Sequence, residues 1–514
     1  MAETEGRGSL VHRAGVGRVV RSPWFVLAAG FVTSRAVYAA LGVRFDSVPY
    51  REFWQYVDPV AVGRDPVGSF LHLHIQPPLF NMAMIGAGKA SPFPVGPTLH
   101  VLFLATGLAL AAASFALLRR FGVADRPAVA VALLVACNPT AILYENWLFY
   151  AYPTALLLVV ATLLITRYAQ SRRSRDAVLF FAAMAAVILT RSVFHAVWLL
   201  VAGVGLLLVT VPAARRAVLA AAVVPFLLVC ALLVKNLVLF DQFSSSSWLG
   251  MNLARISTFQ IPEGERHRLV RDGDLSALAL RPTFAYYDLY ADSGFGTVRP
   301  GSGHPVIDEA VKSDGSPNFN YAGYLGIYRQ YLTDALASIR LRPGAYVRGQ
   351  ATAFVLYLNS PSDYLVRTEN QRRIAALDAT WRTVAYGEVP RALTDSLRED
   401  QSPLVNRMFM MGLSVAAVLA AVALVGGRLL VAVVRRRRTA EPAIVGLLFA
   451  WLTLCYFTVV VNAVELGENQ RFRFEVEPLL VLLAAGLGHE LWRRPASSAA
   501  EVRPTGGNDE SPAA

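Results

Sequence analysis

Residues 217–240 read AVLAAAVVPFLLVCALLVKNLVLF, a run in which Lys235 is the one charge. About 20 largely apolar residues are what a helix needs to cross the hydrocarbon core of a bilayer. Comparable runs precede it at 24–43, 97–118, 127–143, 148–168, 177–194 and 196–211, and follow it at 405–434, 442–464 and 478–491. The composition of the whole chain agrees. Of 514 residues, 55% are hydrophobic and 16% charged, against about 25% charged in soluble domains. So few charges do not make a water-facing surface, and the same figures exclude a disordered chain, collagen and a coiled coil. The fold class is therefore an all-α polytopic membrane protein of about ten spanning helices. Cys137, Cys230 and Cys455 lie in apolar runs with no metal-ligand or disulfide spacing and read as small core residues.

The formal net charge is +12, and every basic residue except Lys89, Lys235 and Lys312 is arginine. A basic balance of this size raises the possibility of nucleic-acid binding, but the arginines sit at span ends. Arg119, Arg120 and Arg126, then Arg167, Arg172, Arg173 and Arg175, then Arg215 and Arg216, then Arg435 to Arg438, and finally Arg493 and Arg494 fall on one side if the spans alternate. Positive residues flanking spans mark the cytoplasmic side. This alternation requires that 77–90, which begins Pro77-Pro78, lies along the outer face instead of spanning. The expected organisation is a cytoplasmic tail (1–22), a transmembrane module (23–240) with a first outer loop at 44–91, an extracytoplasmic, mixed or α-rich segment (241–403), C-terminal spans (404–492) and a disordered cytoplasmic tail (493–514). The first span, preceded by Arg7, Arg13, Arg18 and Arg21 and lacking a small-residue cleavage site, reads as a retained anchor. The 241–403 segment carries 17 basic and 18 acidic residues, so it is no basic patch.

Polar groups gather on the outer side. Asp46 follows the first span, where a carboxylate either serves as a general base within reach of a lipid-anchored substrate or caps a turn or pairs with Arg44 or Arg51. His72 and His74 stand two apart, with Gln76 beyond. If extended they share a face, suited to packing, to hydrogen bonding a substrate or, more weakly, to a metal. Tyr144, Glu145 and Asn146 sit between two apolar runs, where an ionisable group is by default a functional candidate or else part of an aromatic interfacial belt. Arg191 and His195 lie between spans, Lys235 and Asn236 in the outer half of another, and Arg471 and Arg473 before the last one. Outward basic groups oppose the inside bias. Arginine grips phosphate bidentately, although Glu465, Glu468 or Glu475 are also available as partners. No GxSxG elbow, P-loop or metal-binding motif occurs.

The acidic residue in the first outer loop, the stretch His74-Ile-Gln76-Pro77-Pro78-Leu79-Phe80-Asn81, and a second carboxylate after Asn138-Pro139 together resemble the GT-C class. These are polytopic glycosyltransferases using polyprenyl-phosphate sugars, and the likeness is greatest to the protein-mannosyltransferase and RgtA/B/C/D-like branch. The resemblance covers mainly 24–240 and, less firmly, 465–478. It implies that Asp46 is the catalytic base and Glu145 the second acidic residue, although Asp46 is followed by Ser47 and not by a second acidic residue. It further implies inverting transfer from a polyprenyl-phosphate sugar to a glycan, lipid or protein acceptor, while the missing Asp-Glu pair argues against an obligatory metal and no cofactor is expected. Arg191, Lys235, Arg471 and Arg473 would hold phosphate, while His72, His74, Gln76, Tyr144, Asn146, His195 and Asn236 would orient sugar or acceptor. The expected location is the plasma membrane, with both termini cytoplasmic and the site facing the cell envelope. A lipid or sugar transporter, or an inactive scaffold of the same fold, are the competing readings. Against a transporter, the apolar runs on the two sides of 241–403 do not form matching halves.

Overall fold

The computed structural model describes residues 22–296, 301–365, 368–387, 413–436 and 441–500. The expected N-terminal tail up to residue 21, residues 388–412 and the arginines at 437 and 438 lie outside them. The long helices are α1 (Pro23–Ala40), α2 (Leu79–Ala90), α3 (Val95–Arg120), α4 (Asp125–Cys137), α5 (Pro139–Glu145), α6 (Ala151–Ser171), α7 (Ser174–Thr190), α8 (Ala196–Val209), α9 (Pro212–Phe240), α10 (Leu249–Ile256), α11 (Tyr324–Leu341), α12 (Pro343–Leu358), α13 (Ala375–Tyr386), α14 (Leu413–Arg436), α15 (Pro442–Val464) and α16 (Asn469–Ala500), α5 being a single short segment bent from α4. Among the described residues no extended strand forms, and β pairing is limited to isolated bridges such as Asp46 with Trp147.

Each of the ten apolar runs is helical over most of its described residues. Five of the helices, α3, α6, α9, α14 and α15, are by length and apolarity sufficient to cross a membrane, or six counting the bent pair α4 and α5. The other runs fall short for visible reasons: α1 carries Arg35, α7 and α8 have 17 and 14 residues, and α16 opens with several charges. The run at 127–143 is not one straight span. It breaks at Asn138 and turns by 53°. Pro139 starts the second piece, where its missing N–H costs nothing. The Asn138 side chain bridges the break, accepting from the Ala141 N–H at 2.9 Å and donating to the Leu134 and Val135 carbonyls at 2.9 and 3.1 Å. Residues 493–500, placed by sequence in a disordered tail, continue α16. Ala496, Ala499 and Ala500 are strong helix formers.

The bundle is organised around α6, which packs against α3, α7, α15 and α16. Its buried Thr154, Thr162 and Thr166 hydroxyls donate to carbonyls one turn back at 2.7, 2.9 and 2.7 Å. These three hydroxyls are thereby satisfied in apolar surroundings. At one end of the bundle lies a layer built from 41–94 and the described residues of 241–387. Its first part is α2 and three short proline-initiated turns, Pro49–Glu52, Pro59–Arg64 and Pro66–Leu71. Asp58 and Asp65 cap the latter two, each accepting a backbone N–H at 2.9 Å. The second part, expected as mixed or α-rich, is helical with irregular connections, which include the short turn Pro305–Asp308.

One continuous apolar cluster runs from the bundle into this layer, including Trp248, Tyr324, Tyr328 and Phe319 alongside Phe149, Leu158 and Phe457. Lys312 fastens the two parts of the layer. Buried, and pushed down to about 8 by that burial, its ammonium donates to the Phe53 carbonyl at 2.6 Å. The end of the bundle that carries this layer is where the segments 44–91, 144–150, 191–195 and 465–475 meet.

Candidate active site

Two buried charge clusters occupy this end. In the first, Arg35 of α1 reaches Glu145 at the end of α5, with Nε to Oε1 at 2.9 Å and Nη2 to Oε2 at 2.5 Å. The Tyr152 hydroxyl donates to Oε2 at 2.7 Å, and Arg35 also gives hydrogen bonds to Ser34, Cys137 and the Ala136 carbonyl. Gly107 makes room, since a Cβ there would stand 2.0 Å from Glu145 Oε2. Glu145 is fully buried, its charge matched and its oxygens taken.

The second cluster joins α7, α15 and α16. Arg191, just past α7, binds Glu475 with Nε at 2.8 and 3.1 Å from the two carboxylate oxygens, and gives Nη1 to the Tyr150 hydroxyl at 3.1 Å. Arg471 pairs with Glu468 and reaches the same hydroxyl at 3.3 Å. Its guanidinium lies 4.7 Å from the Phe149 ring centroid and 4.4 Å from that of Phe472. Arg255 of α10 pairs with Glu465 at 3.1 Å. Unlike the first cluster, this one has donors to spare: Arg191 Nη2 and Arg471 Nε are buried without hydrogen-bond partners.

These groups line a pocket of about 510 Å3, counting its open mouth, between the bundle and the layer. Arg191, Arg255, Arg471, Glu465 and Glu468 form its charged side; Gln55, Gln76, Ser192, Ser246 and Asn252 its neutral polar side; Trp54, Trp248 and Phe284 an aromatic wall. The wall is self-supporting, with ring centroids 5.1 to 5.9 Å apart among the three. Gln55 Oε1 and Gln76 Oε1 are buried and also lack partners. Unpaired buried polar atoms on both donor and acceptor sides are expensive in a closed protein. A ligand carrying an anion and hydroxyl groups would satisfy both.

Of the residues singled out from sequence, Gln76, Arg191 and Arg471 come together in this pocket. The rest do not line it. Asp46 is half-buried, its carboxylate accepting the Val48 N–H at 3.0 Å; burial pushes its pKa up and that bond opposes the rise. Its backbone exchanges hydrogen bonds with the Asn146 carbonyl and the Leu148 N–H at 2.8 and 3.1 Å. Its bridge partner Trp147 stacks on Phe149 at 4.3 Å, and the Arg471 guanidinium lies over the other ring of that pair. Tyr144 stacks on Phe474 and donates to the Pro361 carbonyl, and the Asn146 side chain closes its own helix turn.

His72 and His74 diverge. His72 lies 4.2 Å, ring to ring, from His304, which binds Asp65, whereas His74 is buried between Ser247 and the Asn320 carbonyl. The Lys235 ammonium donates to the Leu73 carbonyl at 2.5 Å, and Asn236 to that of Ser244. The His195 backbone N–H is held by Tyr456 at 3.0 Å. Arg473 points away from the pocket to the Tyr357 carbonyl at 2.8 Å and the Tyr386 ring. Residues 471 and 475 are four apart and share a helix face, while 473 is on the other side. Among the described residues no three His, Cys, Asp or Glu side chains gather as a metal site.

Sequence reasoning assigned no role to Arg255, Trp248, Asn252 or Phe284, which line the pocket. It also missed Arg35, a lone charge in the middle of the first apolar run. That isolation was a signal pointing to a buried acidic partner.

No protein-family model and no curated protein matches the chain. Among solved structures, the chain is similar to the crystal structure of the Archaeoglobus fulgidus oligosaccharyltransferase tethered through a disulfide bond with an acceptor peptide containing the NVT sequon. The identity is 12% and the TM-score 0.37, with 95% of this chain and 52% of that one covered. The chain thus spans about half the length of that protein.

Proposed function

We propose that this membrane protein is a glycosyltransferase of the GT-C kind that moves a sugar from a polyprenyl-phosphate donor to an extracytoplasmic glycan, lipid or protein, inverting the anomeric centre. The observation that carries the reading is the pocket in which Arg191 Nη2, Arg471 Nε, Gln55 Oε1 and Gln76 Oε1 lack partners beside an aromatic wall. Arg191, Arg471 and Arg255 hold the donor phosphate through charge-assisted hydrogen bonds. Gln55, Gln76 and Asn252 take sugar hydroxyls, and Trp54, Trp248 and Phe284 cover its apolar face. A lipid phosphate leaves as a stable anion and needs no general acid. Catalysis therefore depends on positive charge aimed at the growing phosphate charge and on a base for the attacking hydroxyl. Arginine-rich span ends orient the chain with its termini in the cytoplasm and the pocket on the outer face of the plasma membrane.

Glu145 has a structural part in this reading, holding α1 against α5 through Arg35. The resemblance implies Asp46 as the base, but Asp46 does not line the pocket, and Asp46→Asn with full transfer would remove it from that role. The reading is tested with the purified full chain in lipid nanodiscs and a panel of decaprenyl-phosphate hexoses and pentoses. Saturable binding of decaprenyl phosphate and its release from at least one donor are expected. A chain that moves decaprenyl-phosphate sugar across vesicles without releasing decaprenyl phosphate would be a transporter.

A further inference from the structure

Resting on that transferase reading, we infer that Glu465 is the group that accepts the proton of the attacking hydroxyl. It stands directly after α15, and its side chain lines the pocket together with the three arginines. Its backbone is fixed on both sides: the N–H donates to the Val461 carbonyl at 3.1 Å, and its carbonyl accepts from Asn469 at 3.0 Å. The three carboxylates of the cluster are held unequally. Glu475 takes two bonds from Arg191, and Glu468 takes Arg471 and the Tyr364 hydroxyl. Glu465 has a single bond, from Arg255 to Oε1 at 3.1 Å, and no hydrogen bond to its Oε2 is found among the described residues.

The approach of Arg255 is built into the turn. Gly467 has φ +128°, and a Cβ there would stand 2.1 Å from Arg255 Nη2. The groups that face Glu465 electrically are Arg255, Glu468, Arg471 and Arg191; burial outweighs the cations and pushes its carboxyl up to about 7. A group that titrates near the working pH is the most effective proton acceptor.

The charge balance of the step fits this position. The hydroxyl oxygen bonds to the anomeric carbon, the carbon–oxygen bond to phosphate breaks, and that electron pair leaves with the lipid phosphate. The phosphate changes from a diester with one negative charge to a monoester approaching two, its second pKa being about 6. The hydroxyl proton moves to Glu465 and removes one negative charge from the same pocket as the phosphate gains one. When the lipid phosphate departs, the proton passes to water.

The test uses the full chain in nanodiscs, decaprenyl-phosphate sugars as donors and water as acceptor, with decaprenyl phosphate release followed from pH 5 to 9 and decaprenyl phosphate binding measured in parallel. Wild-type release should rise with pH through about 7, where Glu465 ionises. Glu465→Gln should lower it by about 10²- to 10⁴-fold and abolish the rise while leaving binding within twofold. Wild-type rate and pH profile in Glu465→Gln, with binding intact, would overturn the inference and spare the transferase reading. Failure of the wild-type chain to bind decaprenyl phosphate or to release it from any donor would overturn both. Should Glu465→Gln not fold, Arg255→Gln decides. Removing the cation that holds the carboxyl down should move the rise to higher pH, and an unmoved rise would count against Glu465.

Discussion

Arg35 with Glu145, and Arg191 with Glu475, are both arginine–glutamate pairs buried in the same bundle, with salt bridges at 2.5 and 2.8 Å. The first is closed: Tyr152, Ser34, Cys137 and a carbonyl complete its hydrogen bonds. The second is open, with Arg191 Nη2 and the neighbouring Arg471 Nε lacking partners next to a pocket. Burial of charge therefore does not distinguish scaffolding from chemistry in this protein. What distinguishes them is whether the donors are used up.

The contrast can be broken experimentally, most forcefully at the closed pair. Arg35→Ala leaves Glu145 buried and uncompensated, a loss of about 3–5 kcal/mol, expected as a large fall in the thermal midpoint of the full chain in nanodiscs. A stable Arg35→Ala protein that has lost decaprenyl phosphate binding would instead place the first pair in the site. At the open pair, Arg471→Lys keeps the charge and removes the planar fork. Its expected effect is about tenfold weaker binding of decaprenyl phosphate, or about 1.4 kcal/mol, with a smaller change in stability than Arg35→Ala. Equal losses in both measurements would erase the distinction.

Smaller effects sharpen the same picture. Asn138→Ala removes the cap across the bend between α4 and α5, costing about 1 kcal/mol of stability without altering the pH profile of release, because Asn138 does not line the pocket. A pH slope in stability is also expected. The folded chain keeps the Glu465 proton up to about 7, against an ordinary value of 4.5. Between those two values the unfolded chain has already released it, so stability falls as pH rises through the window. Glu465→Gln should flatten that part of the thermal midpoint against pH, and an unchanged slope would show that Glu465 titrates normally.

Spacing made part of the site legible. Arg471 and Glu475 are four residues apart, so a helix puts them on one face, and Arg191 stood out as a basic group at the wrong end of its span. The face of Arg473 becomes readable once 469–477 is helix, but the last apolar run begins only at 478 in the sequence. Those charges are tolerated in the first turns of α16 because each arginine finds a carboxylate or carbonyl partner. The pairing of His72 with His74 failed for a related reason: the shared face required extended backbone, and residues 71–74 instead end a helical turn, so the rings leave in different directions.

The sequence by itself determined that this chain is a bundle of apolar helices and that its polar groups collect at one end, because hydrophobic length and arginine placement act locally on each segment. Only the tertiary structure decided which charges are spent on each other and which remain available. Arg35 and Glu145 are 110 positions apart, and Arg191 and Glu475 are 284 apart. Whether such groups meet depends on how the helices pack, and a donor is free only when the packing around it leaves space for something else to accept its hydrogen bond.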